Sequence, residues 1–352
     1  MKRWHMVIIG AGPAGSYAAK VAAENGLQVL LLEEHPVIGQ PRHCPGWLLG
    51  TGFTEELVKS LKNPLKLQKV HGFEFYDPQS SELILSIPDT GWGGYFVDRQ
   101  AFDREMALMA LKSGAQISIN TKVTGLLREG DQVVGVETDH KHLSRVMAEV
   151  VVCADGIHSL STGFGKSELL KDKEEKYRPA LLLELSGVRN VRPGIIESYV
   201  SSDPVLAGRN LWTHSEDICL MTISNINLFN EIKERDDNLL SRKIKDAQVT
   251  QMGACRARAD AGRFCERVVD NGILFVGDAS GCHGIIHGMI SAHYGAMAAV
   301  KAIQKRDLDL IKDYDRILKA SDIYKHPYLW PAIKENYQTF AETMEGFKGI
   351  RL

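Results

Sequence analysis

The residues with the most chemistry to offer stand near the N-terminus. Met6-Val7-Ile8-Ile9 runs straight into Gly10-Ala11-Gly12-Pro13-Ala14-Gly15, a G-x-G-x-x-G spacing. A small-residue helix is expected from Ser16 to Asn25, ended by Gly26, and a buried strand from Gln28 to Leu32 closes on Glu33. In this strand–turn–helix–strand setting Gly10 permits the tight turn, Gly12 lets a pyrophosphate approach the backbone, and Gly15 lets helix and strand pack closely. The helix N-terminus then offers free N–H groups and a positive dipole end to the phosphates. Glu33 stands close to the offset of about 20 residues at which a carboxylate accepts the hydroxyls of a nucleotide ribose. An acid there suits free hydroxyls better than a phosphorylated ribose. The pattern reads as dinucleotide binding without distinguishing FAD from NAD.

Other elements must position this turn. Residues 36–52 are loop-like, with Gly39, Pro41, Pro45, Gly46, Gly50 and Gly52. Val70–Tyr76 and Leu83–Ile87 alternate like a hairpin, and Phe102–Lys112 reads as an amphipathic helix ended by Gly114. Strands are expected over Gln116–Ile119, Thr121–Arg128, Val133–Glu137 and Val146–Val152. Ala180–Ser186, Ile195–Ser201 and Ile218–Ile223 continue as antiparallel sheet, hence a second, strand-rich domain. Leu228–Lys245 reads as one charged amphipathic helix, Ile273–Val276 as a last buried strand meeting Gly277-Asp278, and Met289–Gln304 as a buried helix. From Asp309 the tail is expected to be helical, broken by Pro327 and Pro331, and no internal repeat is present.

Composition sets limits. Lys and Arg total 42 against 44 Asp and Glu, a formal net charge of −2, which argues against a protein that grips nucleic acid by neutralising phosphates. No apolar run reaches the roughly 18 residues of a spanning helix, and the start, Met1-Lys2-Arg3-Trp4-His5, leads into a strand rather than a secretion signal. The six cysteines (Cys44, Cys153, Cys219, Cys255, Cys265, Cys282) include no C-x-x-C pair. Disulfide, metal and iron–sulfur frameworks are therefore not expected, and a cytoplasmic location, with peripheral membrane contact left open, is.

Four segments far apart carry a resemblance: the N-terminal unit, Val97-Asp98-Arg99-Gln100-Ala101-Phe102-Asp103, Ala154-Asp155-Gly156-Ile157-His158-Ser159, and Gly277-Asp278-Ala279-Ser280-Gly281. Together they resemble the FAD-dependent family that contains para-hydroxybenzoate hydroxylase. Pro41-Arg42-His43-Cys44-Pro45-Gly46 is similar to the loop of its geranylgeranyl reductase branch, where a proline, a cysteine and a glycine follow in that order. The resemblance covers roughly residues 4–165 and 262–305. It implies an α/β fold: a Rossmann-like FAD-binding domain of the glutathione reductase and para-hydroxybenzoate hydroxylase type, an antiparallel-sheet substrate domain covering the isoalloxazine ring, and a helical C-terminal tail. The boundaries expected are 1–70, 95–165 and 262–305 for the FAD domain, 71–94 and 178–261 for the sheet domain, and 306–352 for the tail.

Carried over by position, the resemblance gives Gly10, Gly12, Ala14 and Gly15 to the pyrophosphate and Glu33 to the adenosine ribose. Arg99 would reach the FAD phosphates or ribityl chain, Val123 the adenine through its backbone, and Asp278 the ribityl or pyrophosphate region. Gly288 and Met289 would turn backbone N–H groups to the N1/C2=O edge, with Cys44 and Pro45 lining the ring. The implied activity is FAD-dependent reduction of carbon–carbon double bonds in an isoprenoid or other apolar lipid by hydride transfer from flavin N5. A monooxygenase acting on an aromatic or quinone-like substrate, and an electron-transfer subunit of a redox complex, use the same scaffold. Without a second G-x-G-x-x-G, the donor is expected to be NAD(P)H bound transiently or a ferredoxin-like protein.

The chain departs from the family in two places. Cys282-His283-Gly284-Ile285-Ile286-His287-Gly288-Met289 is one residue shorter than the family's segment, lacks its proline and adds two histidines. His287 is a candidate donor to the charge of a reduced flavin, or an ordinary loop histidine. The branch's substrate-pocket motif of Tyr, Trp and Phe-Pro is met by Asn210-Leu211-Trp212-Thr213-His214-Ser215, which keeps only Trp212. Cys44, His287 and Trp212 are the candidate catalytic residues, with a packing role favoured over thiol chemistry for Cys44.

Overall fold

In the computed structural model the described residues are 2–61, 65–158, 177–258, 265 and 267–325. The chain opens with β1 (Arg3–Ile9), α1 (Pro13–Glu24), β2 (Val29–Leu32), β3 (Trp47–Leu48), α2 (Gly52–Ser60), β4 (Gln68–Lys69), β5 (Gly72–Tyr76), β6 (Leu83–Pro88), β7 (Tyr95–Phe96) and α3 (Arg99–Lys112). It continues through β8 (Gln116–Ser118), β9 (Val123–Glu129), β10 (Gln132–Thr138), β11 (Arg145–Cys153), β12 (Tyr177–Ser186), β13 (Ile195–Tyr199), β14 (Arg209–Thr213) and β15 (Cys219–Ile223). α4 (Ile226–Glu234), α5 (Leu239–Ile244), β16 (Gln248–Arg258), β17 (Val269–Asp270), β18 (Ile273–Phe275), α6 (Ile285–Lys305), α7 (Asp313–Ala320) and α8 (Asp322–Lys325) complete it.

These elements form two compact units. The first takes the described residues of 1–40, 100–176 and 258–328, the second those of 41–99 and 177–257. Residues 41–61 and 65–70 thus fall with the second unit rather than the first, where β3 and β4 both pair with β7. Residues 306–325 join the first unit, where Ile311, Tyr314, Leu318 and Ile323 enter its core. The rest of the expected helical tail, 326–352, lies outside the described residues.

The first unit's sheet runs β17-β18-β11-β1-β2-β8, with β9 and β10 as an antiparallel pair on β11. β18, β11, β1, β2 and β8 are parallel. Strand β11 shares one edge between two partners, β10 along Arg145–Met147 and β18 along Val151–Cys153. Both faces are covered, so the strands read as unbroken apolar runs. Met6, Ile8, Leu31, Val150 and Val152 face the layer of α1 and α6, while Val7, Ile9, Leu30, Leu32 and Val151 face β9 and β10. The chain leaves β1 towards β2 on one side and returns to β11 on the other, and the carboxyl ends beside such a reversal are where open α/β sheets bind ligands.

The second unit's sheet runs β16-β12-β15-β14-β13-β5-β6, with β12–β15, β15–β14, β14–β13 and β5–β6 antiparallel and β13 parallel to β5. Side chains alternate across it. Leu183, Leu185, Leu211, Met221 and Tyr199 pack with α4 and α5, while Phe73, Ile87 and Ile196 join Trp92, Phe96, Trp47 and Trp212 on the other face. The helix expected over 228–245 is two helices: the chain breaks at Arg235, and the buried Asn238 accepts the Ser241 N–H (2.9 Å) to start α5. Among the described residues no helix is long and apolar enough to cross a membrane.

Candidate functional site

At the carboxyl end of β1 the three fingerprint glycines meet different demands. Gly10 has φ +94°, and a side-chain carbon there would stand 2.6 Å from the Ala154 carbonyl oxygen. At Gly15 it would stand 1.9 Å from the Gly10 carbonyl oxygen. Both positions are closed by the protein itself. Gly12 differs: its φ is −67°, and a side-chain carbon there would meet nothing within 4 Å. Gly12 caps α1, Pro13 opens its first turn, and the Gly12 carbonyl accepts the Ser16 N–H at 2.9 Å. The result is an open cradle in front of a helix N-terminus, matching the space and dipole a pyrophosphate needs.

Glu33 is buried beside the cradle and braces it. One carboxylate oxygen accepts the Ala11 N–H (2.8 Å), and the other accepts the His35 N–H (2.9 Å) and lies 2.7 Å from His35 Nδ1. A carboxylate has about four acceptor positions, so Glu33 can hold the turn and still accept ribose hydroxyls. Val123, at the start of β9, is buried in the core on the hairpin side of the sheet.

The second turn, after β18, packs against the first. A side-chain carbon on Gly277 would stand 3.0 Å from Cβ of Ala14, and one on Gly288 would stand 3.4 Å from Gly277 Cα. Ser291 ties them, accepting the Gly277 N–H (2.9 Å) and donating to the Gly288 carbonyl (2.7 Å). Asp278 lies 3.2 Å from Nδ1 of His283. These features suit FAD: an open glycine cradle, a buried acid beside it, and a second glycine turn delivered by a distant strand.

One expectation is corrected. Helix α6 begins at Ile285, four residues before the expected Met289, behind Gly284 as its cap. The Gly288 N–H is therefore spent on the Gly284 carbonyl (2.8 Å), and Met289 is fully buried. The N–H groups that open this helix, ahead of its first internal acceptor, include those of Gly284, Ile285 and Ile286. His287 also accepts, through its carbonyl, the Cys282 thiol at 3.2 Å, and burial pushes that thiol well up.

The second unit holds Cys44, Pro45, Arg99 and Trp212. Cys44 is half-buried on the 41–46 loop, and Arg99 is buried at the start of α3 with its stem beside Gly46. The loop is fastened by partners that sequence reasoning missed. Arg42, 5% exposed, pairs with Glu184 and with Asp98 (3.2 Å). His214 Nε2 lies 2.7 Å from the Pro45 carbonyl, and its ring stacks on Phe96 with centroids 4.6 Å apart. Burial, helped by the nearby Arg42, pushes His214 down to about 4. A histidine and an arginine inside otherwise apolar or turn-like segments were the available signal, but neither partner is near in sequence.

Trp212 stands in an aromatic wall. Its ring centroid is 6.0 Å from Trp47, 6.2 Å from Phe96 and 6.4 Å from Phe73, and Phe73 stacks on Trp92 at 5.4 Å. Its indole N–H is buried with no hydrogen-bond partner among the described residues.

Comparison with known proteins agrees with this geometry. Residues 5–158 match the family model described as FAD dependent oxidoreductase. A digeranylgeranylglycerophospholipid reductase of Thermoplasma volcanium is 26% identical over 98% of this chain and 90% of its own. One from Methanocella arvoryzae is 34% identical over 56% and 50% respectively. Among solved structures, a geranylgeranyl bacteriochlorophyll reductase-like protein of Thermoplasma acidophilum superposes with a TM-score of 0.75 at 24% identity, covering 91% of this chain and 84% of that one. A flavin-dependent brominase superposes with a TM-score of 0.68 at 20% identity, covering 99% and 94%. Over residues 5–158 the chain thus carries the FAD dependent oxidoreductase pattern, and over nearly its whole length it is similar to digeranylgeranylglycerophospholipid reductases.

Proposed function

We propose that this enzyme saturates carbon–carbon double bonds in the polyprenyl chains of an isoprenoid lipid. FAD held here would supply the hydride chemistry for such a reduction, its electrons coming from an external donor such as NAD(P)H or a ferredoxin-like protein. The chain's own residues bind and orient. Gly12 and the N-terminus of α1 receive the pyrophosphate, Glu33 the adenosine ribose, Val123 the adenine, and Asp278 the ribityl chain. Arg99 is assigned to phosphate. The first-turn N–H groups of Gly284, Ile285 and Ile286 at the start of α6 stabilise charge gathering at the pyrimidine edge, taking over from Gly288 and Met289. Cys44, His287 and Trp212 remain the candidates for contact with reacting groups.

The observation that carries the substrate reading is the pair of half-buried indoles Trp47 and Trp212, backed by the buried rings of Phe73, Trp92 and Phe96. A saturating enzyme for polyprenyl chains needs a surface that is apolar and excludes water, and stacked aromatics supply large apolar area with little side-chain entropy to lose. The names of the digeranylgeranylglycerophospholipid reductases support the same class.

The test is anaerobic. Reduced enzyme is mixed with a polyprenyl glycerolipid, flavin absorbance is followed, and the lipid is analysed by mass spectrometry. The expected result is flavin reoxidation matched by two added hydrogens per double bond consumed. Turnover that requires oxygen and yields an oxygenated product would sink the proposal and favour the monooxygenase reading.

A further inference from the structure

We propose that His214 is a positioning residue, whose Nε2–H donates to the Pro45 carbonyl (2.7 Å) and sets the conformation of the 41–46 loop that presents Cys44. The inference rests on the reading that this loop belongs to the active site.

The loop is held tightly at both ends. At its start, Arg42 is locked by Glu184 and Asp98, and its backbone lies so close to β16 that a side-chain carbon on Gly253 would stand 1.5 Å from the Arg42 carbonyl oxygen. At its end the Val97 N–H donates to the Gly46 carbonyl (2.8 Å), and a side-chain carbon on Gly46 would stand 2.1 Å from the Val97 carbonyl oxygen. Cys44 and Pro45 lie between these fastenings. Proline has no N–H, so the carbonyl is the sole main-chain hydrogen-bonding group of Pro45, and His214 is what holds it. A carbonyl can only accept, which fixes the proton on Nε2. The ring cannot swing away without losing its face-to-face contact with Phe96 (interplanar angle 8°). Burial beside Arg42 keeps the imidazole neutral at physiological pH. His214 follows β14 directly and lies two residues beyond Trp212, so one short segment supplies both a member of the aromatic wall and the anchor of the Cys44 loop.

The test compares His214→Phe, which keeps a stackable ring and loses the donor, with His214→Gln, whose amide N–H reaches the position of Nε2. In FAD-loaded protein, iodoacetamide alkylation of Cys44 is followed by peptide mass mapping, with the buried Cys219 as internal control. Loss of one such hydrogen bond is expected to raise the Cys44 rate about five- to tenfold in His214→Phe, while His214→Gln stays within about twofold of wild type and Cys219 does not change. Equal rates in the two variants, an unchanged Cys44 rate in His214→Phe, or a rise at Cys219 matching that at Cys44 would overturn the anchor. Turnover on the polyprenyl lipid separates the two readings. A faster Cys44 reaction with wild-type kcat and KM in His214→Phe would uphold the anchor and overturn the placement of the loop in the active site.

Discussion

Substituting alanine for each fingerprint glycine should separate ligand binding from folding. At Gly12 the backbone is already extended (φ −67°, ψ −177°), and a methyl group would meet no protein atom within 4 Å. Alanine there loses some capping preference, roughly 0.5–1 kcal/mol. It recovers about 0.4–1 kcal/mol because the unfolded chain becomes less free. The apoprotein should therefore unfold within about 4 °C of wild type. The methyl group nevertheless projects into the cradle, where a pyrophosphate must approach the backbone, so FAD affinity should fall about 100-fold or more, equivalent to roughly 2.7 kcal/mol. Gly10→Ala and Gly15→Ala should behave oppositely. The first places a side chain at φ +94° and 2.6 Å from a carbonyl oxygen, the second 1.9 Å from another, and both must push α1 off the sheet. Losses beyond about 4 kcal/mol are expected for each, and hence little soluble protein. The assays are thermal unfolding of the apoprotein and quenching of flavin fluorescence on titration. Wild-type affinity in Gly12→Ala would refute the placement of the pyrophosphate. A large loss of apoprotein stability in that variant would refute the claim that the position is open.

Acid should weaken the second unit through His214. Its imidazole is pushed from the ordinary 6.5 to about 4 by burial and by Arg42, so between those values the unfolded chain binds a proton that the folded chain refuses. Stability is then lost as pH falls across that window, by on the order of 3 kcal/mol. Urea midpoints measured at both ends should show a smaller drop in His214→Phe than in wild type, and equal drops would contradict the assignment. Lys243 is buried against Glu197 (2.6 and 2.8 Å), which also accepts the Tyr199 hydroxyl (2.7 Å). Lys243→Met should cost about 3–5 kcal/mol by stranding the carboxylate, and adding Glu197→Gln should return part of it, read from urea unfolding followed by tryptophan fluorescence.

The first unit was legible because its signals are local. The turn at Gly10–Gly15, the helix after it and Glu33 lie within one strand–helix–strand stretch, and the parallel strands announce themselves as apolar runs covered on both faces. The second unit is built from distant pairings. β5 lies beside β13 and β16 beside β12, so the sequence near one strand says little about its neighbour. Strand β14 passed unread because Asn210 and Thr213 dilute its apolar alternation, and its burial comes from the strands on either side. Helix α2 was hidden by the glycines around it, although Thr51 caps it through the Thr54 N–H at 3.1 Å. Gly253 looked like any glycine in a polar stretch, and only the folded chain shows the Arg42 backbone occupying the space a side chain would need.

The register of α6 shows why motif alignment and physical chemistry can part by one turn. Gly288-Met289 matches a family dipeptide in type, yet donors are available only in the first turn of a helix, whatever residues follow. Gly284, with φ +95°, lets the chain turn into the helix immediately after His283. Gly288 is then needed for a different reason: its bare Cα is where Gly277 comes closest, and Ser291 bonds to both residues. Gly288 thus serves packing between the two turns. His283 stands just before Gly284 and His287 in the first turn of α6, which puts both histidines that depart from the family pattern at the start of this helix.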